Sequence, residues 1–160
     1  RVGVGTEVSV SLPIPIAVKS RRSAIPEILN GRRVLLAEDD DISLVVASAL
    51  LEKAGITVTP VRNGQQALKL FESSADGFYD AVVMDVRMPV MSGPEAARAI
   101  RALDRSDALS VPIIAQSANA YPSDVEASMA AGIDVHLAKP LDAMQLFKAL
   151  AALISGRESK

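Results

Sequence analysis

Cysteine and tryptophan are absent from the 160 residues, and histidine occurs once, as His136. Without thiols there is no disulfide framework, no thiolate nucleophile and no cysteine-based zinc site. A single imidazole excludes any multi-histidine metal centre. Aromatic residues make up 3 % of the chain and aliphatic types abound, so the core must be built from Val, Leu, Ile and Ala. The length suits about one domain with a core of ordinary size. The formal charge of −2 leaves no broad cationic face for nucleic acid. The pairs Arg21–Arg22 and Arg32–Arg33 are too short to change that. No apolar run reaches the ~20 residues of a membrane-spanning helix, and no signal peptide is recognisable. The expectation is a chain without nucleic-acid or membrane contacts, working in the cytoplasm. Because it begins with Arg1, it reads as a piece of something longer, whose remainder could be membrane-anchored.

From Arg32 onwards, strand-like and helix-like segments alternate. Val34–Glu38 reads as a buried strand. Ser43–Ala54 reads as a helix with Leu44, Val45, Ala47, Ser48 and Leu51 on one face, stopped by Gly55. Ile56–Val61 is a second strand. Asn63-Gly64-Gln65-Gln66 resembles a capping box opening a helix over Gln65–Ser73. Ala81–Asp85 is strand three, and Ser92-Gly93-Pro94-Glu95 caps a helix over Pro94–Leu103. Val111–Gln116 is strand four; Ser123-Asp124-Val125-Glu126 caps helix four, which Gly132 ends. Asp134–Ala138 is strand five. Asp142–Ile154 is helix five, with Met144, Leu146, Phe147, Leu150 and Leu153 available for burial.

Five strand–helix units predict an α/β fold, a doubly wound five-stranded parallel sheet with five helices. In the flavodoxin-like order 2-1-3-4-5, ligands bind at the carboxyl ends of strands one and three. Those are the strands that end in carboxylates: Glu38 and Asp39 after the first, Asp85 at the end of the third. Three converging acids repel one another unless a cation sits among them, and hard oxygen ligands of this kind suit Mg²⁺ together with phosphate oxygens. The same edge receives a hydroxyl, Ser117, from strand four and an ammonium, Lys139, from strand five. Pro140 follows that lysine and permits a cis peptide that turns it inward. Taken singly, each residue has a plainer reading as a cap, a turn former or a solvated charge. Their arrival at successive strand ends is what makes them a candidate site.

The motifs LLAEDDD, VVMDVRMPVMSG, PIIAQSANA and HLAKP resemble, in order and spacing, those of response-regulator receiver domains. The resemblance spans Arg32 to about Ser155. It implies that Asp85 accepts a phosphoryl group from a phosphohistidine, on a histidine kinase or a phosphotransfer protein. It further implies that Mg²⁺ is held by Glu38, Asp39, Asp85 and the backbone carbonyl of Arg87, with Asp39 the more direct acidic ligand. Lys139 would pair with the phosphoryl group, Ser117 would be the switch hydroxyl, and the domain would catalyse its own aspartyl phosphorylation and dephosphorylation. His136 stands where the family often carries an aromatic switch residue, and Gln116 where many members are apolar; both are departures. A receiver-like module that binds partners without being phosphorylated is the alternative, although such modules usually lack some of the residues matching Glu38, Asp39, Asp85, Ser117 and Lys139.

The wording of the motifs is closest to receivers carried by hybrid sensor histidine kinases. The N-terminal stretch fits that idea, because Val8, Val10 and Leu12 alternate with Glu7, Ser9 and Ser11 as in a one-sided strand. Residues 1–17 accordingly resemble the last strand of a histidine-kinase ATPase domain, with an extended linker or cloning remnant as the other reading. Residues 18–31, with Pro26 and a basic stretch, read as a linker, followed by a receiver over 32–156 and a tail over 157–160.

Overall fold

The computed structural model describes residues 25–118 and 121–159. Strands β1 (Arg33–Ala37), β2 (Thr57–Val61), β3 (Ala81–Asp85), β4 (Ile113–Ser117) and β5 (Val135–Ala138) alternate with helices α1 (Asp41–Lys53), α2 (Gly64–Ser73), α3 (Gly93–Arg101), α4 (Pro122–Ala130) and α5 (Ala143–Glu158). The sheet order is β2-β1-β3-β4-β5, and every pairing is parallel. This is the flavodoxin-like arrangement expected from the alternation.

The near-continuous apolar strands follow from burial on both faces. Successive side chains of one strand point to opposite sides, so each strand feeds two cores. Val34, Leu36, Val83 and Ile114 pack with Leu44 and Leu51 of α1 and with Leu146 and Leu150 of α5. Leu35, Val82, Met84 and Ile113 pack with Phe71 of α2 and with Ala96 and Ile100 of α3. Each fully buried aliphatic side chain of this kind contributes about 1.5–3 kcal/mol.

Several local expectations need correction. Helix α1 starts at Asp41, because Asp40 caps it by accepting from the Ser43 N–H at 2.8 Å. Its buried residues are Leu44, Ala47 and Leu51, whereas Val45 is 68 % exposed; the sheet covers a narrower stripe than the spacing suggested. Helix α4 begins at Pro122 behind Tyr121, with no side-chain cap, so Ser123 lies inside the helix. Proline at the first helical position, its φ already helical, sets that start. Strand β4 is shifted to Ile113–Ser117. Helix α5 passes through Gly156 to Glu158, fully burying Ile154, with Leu153 partly buried against the same core.

Within the segment 18–31, read as a linker, Ile25, Ile28 and Leu29 pack against the core. Glu27–Leu29 form a single 3-10 turn, and Leu29 is fully buried against the α1–α5 core. Arg32 fixes this turn by donating to the Ile28 carbonyl at 2.9 Å, and it also pairs with Asp80 at 3.2 Å and Glu158 at 2.6 Å. The strand expected over 1–17 and linker residues 18–24 lie outside the described residues. Among the described residues, no helix is long and apolar enough to cross a membrane.

Candidate functional site

Parallel strands deliver their last residues to one edge, and β1 and β3 are neighbours there. Glu38 directly follows β1, and its N–H donates to the Val61 carbonyl at 3.0 Å. That bond holds it in line with the sheet, and it is 2 % exposed. Asp39 is exposed on the same turn. Asp85 ends β3, partly buried. One carboxylate oxygen from each of Glu38, Asp39 and Asp85 lies within 4.8 Å of the others.

Lys139 arrives from the end of β5, just before a cis Lys139–Pro140 peptide. Its N–H donates to the Ser117 carbonyl at 2.8 Å, which ties it to β4. The ammonium reaches Glu38 Oε2 at 2.7 Å and Asp85 Oδ2 at 2.5 Å. Charge-assisted contacts of this length are the stronger kind of hydrogen bond. Burial opposes the lysine's charge, but the two carboxylates outweigh it and raise its pKa above the usual 10.5. For Glu38, burial is the larger influence; its pKa is raised above 4.5 even with Lys139 and the Asp40 N–H pulling it down. A buried carboxyl that resists ionisation, beside two further acids, has the chemistry of a cation site.

The loop after β3 aims the central acid. The Arg87 N–H donates to Asp85 Oδ1 at 3.1 Å, so one oxygen faces the loop and the other faces Lys139. The capping box at Ser92 and Glu95 is present, with the Ser92 N–H donating to Glu95 at 2.9 Å. Gly93 carries a role that its place in that box did not reveal. A Cβ there would lie 2.4 Å from the Asp85 carbonyl oxygen, so only glycine lets α3 start against the backbone of the acid. The visible signal was a glycine following Pro89 in the same loop.

Ser117 ends β4 and is buried. Its hydroxyl lies 2.8 Å from Nε2 of His136. His136 pairs in register with Ala115 across β4–β5, so the two polar side chains share one face as diagonal neighbours. Gln116 is also buried, and it pairs in register with Asp85 across β3–β4. All the residues expected at the site therefore come to one edge of the sheet: the acids and Lys139 as one contacting cluster, Arg87 beside it, and Ser117 with His136 as an adjoining pair.

A family model, the response regulator receiver domain, matches residues 34–151. The chain belongs to that family. It is a receiver domain of the two-component type. The rice (Oryza sativa subsp. japonica) two-component response regulator ORR41 is 42 % identical over 121 residues, which covers 74 % of this chain and 91 % of that protein. Hybrid signal transduction histidine kinase I of Dictyostelium discoideum is 34 % identical over 121 residues, which covers 74 % of this chain but only 7 % of the kinase. The receiver thus spans a small fraction of the hybrid kinases it resembles. Among solved structures, the receiver domain of sensor histidine kinase PA1611 from Pseudomonas aeruginosa PAO1, with a magnesium ion in its active-site cleft, superposes with a TM-score of 0.71. It is 39 % identical, covering 78 % of this chain and 98 % of that one. The receiver of Saccharomyces cerevisiae Ssk1, solved with the phosphotransfer protein Ypd1, gives a TM-score of 0.67 at 26 % identity, covering 78 % of this chain and 89 % of that one.

Proposed function

We propose that this receiver takes a phosphoryl group from a phosphohistidine onto Asp85 and changes conformation as a result. The observation that carries the reading is the Lys139 bridge between Asp85 and Glu38, beside Asp39. Asp85 is the nucleophile: one of its carboxylate oxygens forms the new P–O bond as the P–N bond breaks, and the electron pair returns to the donor imidazole. The transition state is loose, so positioning and electrostatics supply most of the catalysis. The Lys139 ammonium meets charge on the phosphoryl oxygens, and the Ser117 hydroxyl donates to one of them. Glu38, Asp39, Asp85 and the Arg87 carbonyl fit a hard divalent cation, and Mg²⁺ held there would neutralise phosphoryl charge. The switched state is reached as a population shift between two arrangements of β4, β5 and their loops.

The partner follows from the chemistry: a phosphohistidine on a kinase dimerisation helix or on a phosphotransfer protein, met in the cytoplasm. We further place this receiver within a hybrid sensor histidine kinase, supported by the hybrid kinases among its relatives and by the strand-like pattern of residues 1–17. Extending the reading frame upstream tests that placement, since an ATPase domain should precede Arg1.

Intact-mass measurement with Mg²⁺ and a small phosphodonor tests the acceptor. One phosphoryl group should add to the protein, labile to base and hydroxylamine, and Asp85→Asn should abolish it. Label persisting in that variant on serine or histidine would refute the assignment.

A further inference from the structure

The phosphoacceptor reading leaves the chemistry of His136 at this edge unused. Its Nε2 lies 2.8 Å from Ser117 Oγ, while its Nδ1 is buried and has no hydrogen-bond partner among the described residues. A neutral imidazole carries one proton, so one nitrogen donates and the other accepts. A buried N–H without an acceptor is the rarer defect; an acceptor left bare is better tolerated, as it is for backbone groups. The proton therefore belongs on Nε2, and the ring donates to Ser117.

The direction of that bond decides what the hydroxyl can do. A hydroxyl has one proton and two lone pairs. When Nε2–H occupies a lone pair of Ser117, the oxygen is fixed as an acceptor towards the ring, and its one proton is directed elsewhere. A phosphoryl group on Asp85, one strand away across the β3–β4 pairing, offers only acceptor oxygens and needs that proton. The opposite tautomer would draw the serine proton onto the ring and set His136 in competition with the phosphoryl group.

We propose that His136, as its Nε2–H tautomer, is a positioning residue that pre-sets Ser117 as a donor to the phosphoryl group on Asp85. The inference rests on the phosphoacceptor reading above. An apolar ring at this place could fill the space between β4 and β5 but could not orient the hydroxyl.

Ring ¹⁵N shifts of the full chain and binding of beryllium fluoride, a tetrahedral phosphoryl mimic, with Mg²⁺ test it together. Nε2 should show a pyrrole-type shift and Nδ1 a pyridine-type shift. His136→Phe should weaken mimic binding and lower the phosphorylated fraction roughly two- to tenfold, the range one net hydrogen bond supports. His136→Gln, whose amide N–H reaches the Nε2 place, should restore both; the shorter His136→Asn should not. In a Ser117→Ala background His136→Phe should have no further effect. A pyrrole-type Nδ1, a Phe variant equal to wild type, failed rescue by Gln, or an effect that survives loss of the hydroxyl would each overturn the inference. Should the Phe variant fail to fold, the Gln–Asn comparison decides. Absence of phosphoryl uptake by wild-type Asp85 would instead remove the reading beneath it.

Discussion

Lys139 Nζ lies 2.7 Å from Glu38 and 2.5 Å from Asp85, a single ammonium shared by two strand ends. Lys139→Met removes the cation and leaves Glu38 buried beside like charge. The variant should lose roughly 2 kcal/mol at neutral pH, the scale of a hydrogen bond to a charged group. Burial already raises the Glu38 pKa, and loss of the lysine raises it further. The deficit against wild type should therefore shrink as pH falls and Glu38 takes its proton, and saturating Mg²⁺ should also narrow it. In wild type the raised Lys139 value has the opposite sense: its contribution is complete below pH 10.5 and lost as pH rises through the higher folded value. Thermal melts across pH, with and without Mg²⁺, check both; a deficit indifferent to pH and metal would contradict them.

The two acids after β1 should not be equivalent towards metal. Glu38 spends Oε2 on Lys139, whereas Asp39 is exposed at the mouth of the cluster. One carboxylate charge about 4 Å from a cation is worth ~4 kcal/mol at an effective dielectric near 20. Discounted for exposure, Asp39→Asn should weaken Mg²⁺ binding by tenfold or more, and Glu38→Gln by less. Titration calorimetry on the two variants ranks them.

Gly93→Ala tests the close approach of α3 to the acceptor. The new methyl must displace the Asp85 carbonyl, 2.4 Å from its ideal place. A loss of about 1–3 kcal/mol is expected from overpacking, together with slower phosphoryl uptake, because Asp85 itself is moved. Unaltered uptake in a folded variant would show that the loop absorbs the methyl.

A structural ion pair supplies an acid-side prediction. Asp107 is 3 % exposed and bonds Arg105 at 2.6 Å and the Gly77 N–H at 2.7 Å. Arg105 also lies over the Phe71 ring at 4.4 Å and donates to the Ser74 and Ala75 carbonyls just beyond the end of α2. Burial pushes the Asp107 pKa up, but these donors outweigh it and bring it below 3.8. Its contribution is present above pH 3.8 and lost as pH falls through the lower folded value. Asp107→Asn should cost about 3 kcal/mol at pH 7, as for a broken buried pair, and the gap to wild type should close in acid. Denaturant melts at pH 7 and pH 3 measure it.

The element order, the strand-end acids, Ser117 and Lys139 were legible in the sequence because parallel strands place side chains at one edge whatever their loops do. Caps and faces were less so. At Tyr121–Pro122 two start signals stood side by side, and the fixed φ of proline prevailed over the Ser123 cap. Val45 fits the helical period of the buried stripe, yet it is 68 % exposed. Leu29 was hidden in a short segment around Pro26, where Ile25, Ile28 and Leu29 are too few to show a period. The bond between Ser117 and His136 could not be read at all, since it depends on a cross-strand diagonal that only register reveals.

The packed turn at Glu27–Leu29 has a consequence for geometry. It leads into the amino end of β1, whereas Asp85 stands at the carboxyl end of β3, and five residues of strand separate the two edges by roughly 16 Å. Leu29 and the Arg32 contacts clamp that point of attachment, so it cannot swing towards the acids. A donor tethered through Ile25 must travel around the flank of the sheet to reach Asp85, and its local concentration there depends on tether length. A donor on a separate molecule meets no such detour, and the edge that holds the acceptor faces it without any covalent leash in the way.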